Sequence, residues 1–476
     1  MNQKKRVLKV EQIYTGCLSQ GAYYIESNGE AAIIDPLREV QPYIDLAARR
    51  NVTIKYIFET HFHADFVSGH VTLSEKTGAP IIYGPNADPN FEVIIAEDLQ
   101  EFQLGDVKIR VLHTPGHTME STSYLLLDEN GTAHSIFSGD TLFLGDVGRP
   151  DLAQKAANMT QEDLAGILFN SLRNKIMTLP DHTIVLPGHG AGSACGKRMS
   201  KETTGTIGDQ KKTNYALRED MSKAEFIKEV TDGLLAPPAY FPLNVKLNKE
   251  GYQDVEKVIE NGANALNAEW FETLANKVET IVIDVRHEND FAKAHIPRSI
   301  FIGVDGGFAP WVGTLLQDIE QPILLVTDED RLEEVLTRLS RVGFDNVLGY
   351  LEGGFESWKA AGKEIDSIET ISSSDFSILN KAKYLNVFDV RKEVEYQSEH
   401  VLSSINTPLN QINDHINSYS MMEKNYLHCA GGYRSMIANS ILKSRGIHNV
   451  VDIVGGFDAI KNTDAAISQD VCSSTV

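Results

Sequence analysis

Cysteine is scarce in this chain. Its 476 residues include four, Cys17, Cys195, Cys429 and Cys472, far apart and without the spacing of a disulfide framework. A disulfide-stapled secreted domain is excluded, and a reducing compartment, the cytoplasm, is expected. Long hydrophobic runs are missing too: no stretch reaches the ~20 apolar residues that span a bilayer, so no membrane partner is expected. The basic start Met1-Asn2-Gln3-Lys4-Lys5-Arg6-Val7 meets Glu11 and Gln12 rather than the apolar core of a signal peptide. Positive charge is in deficit, with 44 Lys and Arg against 66 Asp and Glu and a net charge of −22. Such a surface repels phosphate backbones and carries no local basic patch, which excludes nucleic acid as a partner.

What is present is the composition of an ordinary globular protein, 42% hydrophobic and 23% charged. The chain is too long for one core and predicts about two to four domains. Short apolar runs ending in polar loops, Ala31–Pro36, Ile54–Phe58 and Val107–Leu112, read as strands of a layered α/β protein. Their ends carry candidate ligands: Asp35, the Thr60–Asp65 cluster, His113 to His117, Asp140 and His189. The Pro-rich stretch Leu235-Ala236-Pro237-Pro238-Ala239-Tyr240-Phe241-Pro242 resists helix and strand and marks a domain boundary.

Beyond it the sequence repeats itself. Ile283-Asp284-Val285-Arg286 with His295-Ile296-Pro297 recurs as Phe388-Asp389-Val390-Arg391 with His400-Val401-Leu402, and Gly353-Gly354-Phe355 recurs as Gly455-Gly456-Phe457. A period of roughly a hundred residues is a duplicated domain rather than a solenoid unit. The Ser-, Asp- and Glu-rich segment from Ile365 to Ser374 reads as the linker between the copies.

Two constellations carry chemistry. In Thr60-His61-Phe62-His63-Ala64-Asp65, the two histidines project to one side of a strand end and Asp65 extends the set. Thr114-Pro115-Gly116-His117, Ser138-Gly139-Asp140-Thr141 and Leu186-Pro187-Gly188-His189-Gly190 follow. Over about the first 240 residues this order resembles the metallo-β-lactamase superfamily. Where that superfamily often has a further His after the Asp, Phe66 stands here and cannot ligate. The loss weakens a second metal position and leaves a two-His, one-carboxylate face suited to non-haem Fe(II). Spacing alone does not choose three ligands among His61, His63, Asp65, His117, Asp140 and His189. Within the superfamily the match is to persulfide dioxygenases. That resemblance implies one Fe(II) per chain on His61, His117 and Asp140, with His63, Asp65 and His189 orienting ligands or substrate, or serving as alternative ligands. It also implies a functional Cys195, six residues beyond His189. Arg149 in Gly145-Asp146-Val147-Gly148-Arg149-Pro150 is a candidate partner for a substrate carboxylate.

The second constellation is His428-Cys429-Ala430-Gly431-Gly432-Tyr433-Arg434-Ser435, an apolar strand running into a loop and then a helix. Gly431 and Gly432 let successive backbone N–H groups turn inward, forming a nest that stabilises a thiolate or persulfide anion. Arg434 is expected to hold an anionic acceptor. With Asp389-Val390-Arg391 and Gly455-Gly456-Phe457, this resembles a rhodanese domain over residues 372–465. The earlier copy reads Leu325-Val326-Thr327-Asp328-Glu329-Asp330-Arg331 at the matching place, and an anionic loop without cysteine cannot store sulfane sulfur. Residues 260–362 are thus an inactive copy, kept for spacing, docking or the contacts of the homo-oligomer expected here.

The resemblance implies an αββα metallo-β-lactamase fold over residues 1–245, followed by two rhodanese-like α/β domains, as in the CstB-type persulfide dioxygenase–sulfurtransferases. The activity implied is oxidation of a low-molecular-weight persulfide by O₂ to sulfite, then formation of thiosulfate at Cys429, in sulfide detoxification. Two other classes compete: a dinuclear zinc thioester hydrolase of glyoxalase II type, and a non-oxidative sulfur-relay protein.

Overall fold

The structure is a computed structural model and describes residues 8–154, 158–234 and 236–468. The basic Met1–Val7 start, Leu235 and Cys472 lie outside the described residues. The chain divides into two compact units, one running to Val255 and including Ser340–Gly343, the other formed by Glu256–Leu339 and the chain from Phe344.

The first unit is built on two six-stranded sheets. One holds β1 (Lys9–Thr15), β2 (Gln20–Ser27), β3 (Glu30–Ile34), β4 (Thr53–Phe58), β5 (Ile81–Tyr83) and β6 (Ile94–Ile95), side by side in chain order. The other holds β7 (Glu101–Leu104), β8 (Val107–His113), β9 (Thr122–Leu127), β10 (Ala133–Gly139), β11 (Ile184–Pro187) and β12 (Gly205–Thr206), again in order. Every residue of β2 is buried, because alternate side chains serve two cores. Tyr23 and Ile25 join Phe58, Val111, Tyr124 and Phe137 between the sheets. Tyr24 and Ala22 face outward with Ile33 and Ile57 onto Tyr43 and Ala47 of helix Gln41–Arg50. On the far side Leu125, Ile136 and Val185 pack on helices Gln161–Ser171 and Lys223–Thr231 through Leu168 and Phe226. The layers run helix, sheet, sheet, helix, as the resemblance implies.

The Pro-rich stretch differs from its sequence reading as a boundary. Helix Phe241–Glu250 starts within it, with Pro in its first turn where no N–H is missed, and the first unit continues to Val255.

In the second unit two five-stranded parallel sheets repeat one topology. The first has β13 (Ala265–Leu266), β14 (Ile281–Asp284), β15 (Ile300–Phe301), β16 (Ile323–Val326) and β17 (Val347–Leu351) in the order β13-β17-β16-β14-β15. The second has β18 (Glu369–Ile371), β19 (Asn386–Asp389), β20 (Ser404–Asn406), β21 (Asn425–His428) and β22 (Val450–Ile453) in the order β18-β22-β21-β19-β20. The segment read as a linker is ordered: Asp366 exchanges backbone hydrogen bonds with His295, and β18 pairs in parallel with β22. Backbone groups make such ladders without apolar side chains, so composition did not reveal it. Among the described residues no helix is long and apolar enough to cross a membrane.

Candidate functional site

Five strand ends converge at one edge of the first unit. Asp35 follows β3, His61 and His63 follow β4, His117 follows β8, Asp140 follows β10 and His189 follows β11. All six side chains are buried. His61, His117 and Asp140 place one donor atom each within 4.8 Å of one another. The Nε2 atoms of His61 and His117 stand 3.9 and 3.5 Å from Asp140 Oδ2, a buried oxygen with no hydrogen-bond partner.

The far nitrogens are tied down. His117 Nδ1–H donates to the Arg149 carbonyl at 2.8 Å. Thr60 Oγ1 donates to Asp35 Oδ2 at 2.8 Å and so accepts from His61 Nδ1 at 2.9 Å. Both rings therefore present an Nε2 lone pair inward, the tautomer a metal ligand needs. Burial would raise the Asp140 carboxyl, but His189, His61 and His117 around it carry it well below the usual carboxylate range. Burial, then His63, holds His61 well below its ordinary value, which keeps it a neutral donor. The donor set fits a divalent transition ion, Fe(II) or zinc.

The other predicted residues separate from this face. His63 turns to Asp35 Oδ1 at 3.2 Å and Glu59 Oε2 at 3.4 Å, with the Phe66 ring 4.3 Å from its own. His113 lies against Met119, whose carbonyl is 2.9 Å from its Nε2. His189 bridges Asp140 Oδ1 at 2.8 Å and Asp65 Oδ2 at 2.7 Å. Burial would lower His189, but Asp140 and Asp65 raise it well above its ordinary value. Cys195 joins Asp65 and His189 in a second buried group whose donor atoms lie within 4.8 Å of one another. Burial, then Asp65 and Asp140, pushes its thiol well up. Phe66 brings no donor of its own, and Cys195, distant in sequence, adds one to the Asp65 and His189 group. Arg149 already holds a carboxylate, Asp151, through two hydrogen bonds of 2.6 and 2.7 Å, and its Nη1 donates to the Ala194 carbonyl.

Sequence reasoning missed Glu59, Asn248 and Tyr240. Glu59 sits beside the first cluster residue, and a carboxylate there was a readable signal. Asn248 gave none: its amide nitrogen donates to the His63 and Phe66 carbonyls and its oxygen accepts from Ser68 N–H, all at 2.8 Å. It thus clamps the ligand loop from helix Phe241–Glu250. Tyr240, inside the Pro-rich stretch, is buried near Asp65 and Cys195, whose charges add to burial in raising its hydroxyl. Asn248→Ala leaves three buried backbone groups without partners and is expected to cost about 2–4 kcal/mol, read from urea unfolding. A loss under ~0.5 kcal/mol would mean that the loop holds itself.

The Glu59–His63 pair sets a pH dependence for the metal-stripped chain. Burial would raise Glu59, but His70 and His63 bring it from 4.5 down to about 2. Burial would lower His63, but Asp35 and Glu59 bring it from 6.5 up to about 10. The Glu59 contribution is complete above pH 4.5 and is lost as pH falls through about 2. The His63 contribution is complete below pH 6.5 and is lost as pH rises through about 10. Urea midpoints of the stripped chain should fall on both sides of that plateau, and Glu59→Gln should flatten both slopes. Unchanged slopes in the variant would place the dependence elsewhere.

In the second unit Cys429 follows β21 and is buried. Its Sγ accepts from Gly432 N–H at 3.1 Å, the first contact of the expected nest. Phe457 N–H donates to the Cys429 carbonyl at 2.7 Å and Asp458 N–H to the Ala430 carbonyl at 3.0 Å. Gly456 makes that approach possible, since a Cβ there would stand 2.4 Å from the Ala430 carbonyl oxygen. Gly431 has nothing near its missing side chain. Arg434 is paired in the structure with Glu395 through bonds of 2.7 and 2.9 Å. In the first copy, β14 and β16 pair in the register of β19 and β21, which puts Thr327 in the place of Cys429. A cavity of about 510 Å³ lies at that loop, lined by Arg286, His287, Asp328 and Arg331 among others.

Comparison with known proteins agrees with this division. The pattern of the metallo-beta-lactamase superfamily matches residues 15–189, and that of the rhodanese-like domain matches residues 267–361 and 377–463. A hydroxyacylglutathione hydrolase of Brucella canis is 33% identical over 195 residues, covering 40% of this chain and 68% of that protein. The chain spans about two thirds of the length of such curated relatives. Among solved structures, a metallo-beta-lactamase from Staphylococcus aureus subsp. aureus COL superposes with a TM-score of 0.64 at 32% identity, covering 73% of this chain and 98% of that one. ETHE1 from Myxococcus xanthus covers 51% of this chain and 98% of its own, at 29% identity and a TM-score of 0.44.

Proposed function

We propose that this chain, which belongs to the metallo-beta-lactamase superfamily and carries two rhodanese-like domains, is a persulfide dioxygenase coupled to a thiosulfate-forming sulfurtransferase. The observation that carries this reading is the pairing on one chain of an inward two-His, one-carboxylate face with a cysteine whose sulfur accepts from a backbone N–H.

His61, His117 and Asp140 would hold one Fe(II), which supplies the binding and activation of O₂ beside a thiol persulfide. The balance is one persulfide, one O₂ and one water giving one thiol and one sulfite, with two protons released. The chain's part is to fix both imidazole tautomers through Arg149 and Thr60, to keep Asp140 ionised, and to exclude bulk water with Phe66, Phe143 and the buried loop around His189. Arg149 would share its Asp151-bound guanidinium with a substrate carboxylate. At Cys429, a second persulfide passes its outer sulfur to the thiolate and leaves as thiol. Sulfite then attacks that sulfur and departs as thiosulfate, restoring the thiolate. Arg434 would receive the anions at the price of loosening Glu395. The partners are O₂ and small thiol persulfides, and the chain would work as a homo-oligomer in sulfide detoxification.

Oxygen uptake with glutathione, coenzyme A and cysteine persulfides on iron-loaded protein, with sulfite and thiosulfate quantified, tests the reading. No uptake with any of them at full iron content would overturn it. Cys195→Ser is expected to keep its metal and the isolated transfer activity of Cys429, yet to lose most thiosulfate-forming turnover from persulfide and O₂. Wild-type turnover at matched iron would reduce Cys195 to packing.

A second reading is favoured by the group Asp65, His189 and Cys195, which could hold a second ion beside the first. A dinuclear thioester hydrolase, as the name of the Brucella canis relative would suggest, predicts two zinc ions per chain and hydrolysis of acylated glutathione without O₂.

A further inference from the structure

Helix Tyr433–Ser444, which begins where the Cys429 loop ends, is buried over its whole interior, Ser435 to Lys443 without a break. A helix lying on a sheet normally leaves a polar stripe to solvent, as helix Leu332–Arg341 of the first copy does at Glu333. Here the second side is covered by the inactive copy and the segment that follows it. Phe301 N–H donates to Ser440 Oγ at 3.0 Å, and Lys443 Nζ bonds Asp366 Oδ1 at 2.6 Å and the Ser367 carbonyl at 2.7 Å. At the catalytic end, the Tyr433 hydroxyl donates to the Gly303 carbonyl at 2.7 Å, and its ring meets Phe301 edge-on with centroids 5.6 Å apart. The ring lies so close over Gly306 that a Cβ there would stand 2.3 Å from two of its atoms.

Tyr433 is the residue directly after Gly432, whose N–H donates to Cys429 Sγ. The plane Tyr433 shares with Gly432 carries the Gly432 carbonyl, and the Gly432 N–H lies in the preceding plane. Fixing Tyr433 therefore anchors the loop one α-carbon away and leaves only the Gly432 φ and ψ between that anchor and the N–H. We infer that the inactive rhodanese-like copy is a positioning element for the active one: through Gly303 and Gly306 it grips Tyr433 and so holds the loop that receives sulfur on Cys429. Tyr433 is a positioning residue that touches no reactant. The inference rests on the reading of Cys429 as the sulfur carrier.

The test uses the full chain and reads the pH–rate profile for alkylation of Cys429 by iodoacetamide, followed on its own peptide by mass spectrometry. Thiosulfate-to-cyanide sulfur transfer and the thermal midpoint are measured beside it. Tyr433→Ala and Gly306→Ala should move the alkylation profile to higher pH and slow transfer about fivefold or more, as expected when a hydrogen bond to an anion is misaimed. Tyr433→Phe, which keeps the ring, should fall between these and wild type. Lys443→Ala, which breaks the contact at the far end of the helix, should lower the thermal midpoint and leave the profile in place. If Tyr433→Ala does not fold, Gly306→Ala alone decides, since it removes no contact from the active domain. Wild-type profiles in both variants, or a Lys443→Ala profile displaced as far as theirs, would overturn the inference. Wild-type protein without any transfer activity would instead sink Cys429 as the carrier, whatever the profiles show.

Discussion

Asp140→Ala is expected to strip the metal and end oxygen consumption while sulfur transfer at Cys429 survives. Asp140 supplies the anionic donor of the His61, His117, Asp140 face, and its Oδ2 has no other partner. Two neutral imidazoles remaining in a buried site cannot offset the charge of a divalent ion. Loss of an orienting group around a metal costs about 10–100-fold in affinity, and loss of a ligand carboxylate exceeds that range. The substitution also frees His189 from one of its two carboxylates, leaving Asp65 as its partner. Iron content after dialysis, oxygen uptake and the thermal midpoint separate metal loss from unfolding. Retention of stoichiometric iron with uptake above a tenth of wild type would remove Asp140 from the ligand set, and two zinc ions per wild-type chain would favour the hydrolase reading.

Cys429→Ser should divide the two chemistries in the opposite sense. Serine keeps the size of the side chain and the Gly432 contact, but its hydroxyl is neither ionised at neutral pH nor able to carry sulfane sulfur. Thiosulfate formation should fall about a thousandfold or more, while oxygen is consumed and sulfite accumulates. The metal face is assembled on β4, β8 and β10 of the first unit, and Cys429 follows β21 of the second. Iron content should therefore match wild type. Abolished uptake at full iron loading would mean that oxidation requires the cysteine directly.

Much of this was legible in order of residues alone. The candidate residues stand at strand ends because an apolar run that must be buried stops where polar residues begin, so the placement of Asp35, His61, His117, Asp140 and His189 beyond their strands is readable from hydrophobic pattern. The duplicated domain was legible because the Asp-Val-Arg and Gly-Gly-Phe motifs recur, and the first copy has Thr327 where the second has Cys429. The ordered segment before β18 was not legible, since its backbone bonds leave no trace in side-chain composition. Nor was the continuation of the first unit past the Pro-rich stretch, which depends on Asn248 reaching a loop some 180 residues earlier.

The sequence by itself determined the domain types, the six candidate ligands, the glycine-bearing cysteine loop and the absence of a membrane-spanning run. Each depends on residue type and local spacing, which a chain carries before it folds. Only the tertiary structure decided which ligands share a face. His63 turns from His61 to Asp35 and Glu59, Cys195 joins Asp65 and His189, and Tyr433 settles on Gly306 of the other copy. Those choices are made by rotamers, and a buried rotamer is set by which distant charge, carbonyl or vacant glycine face the fold brings within about 3–4 Å of it.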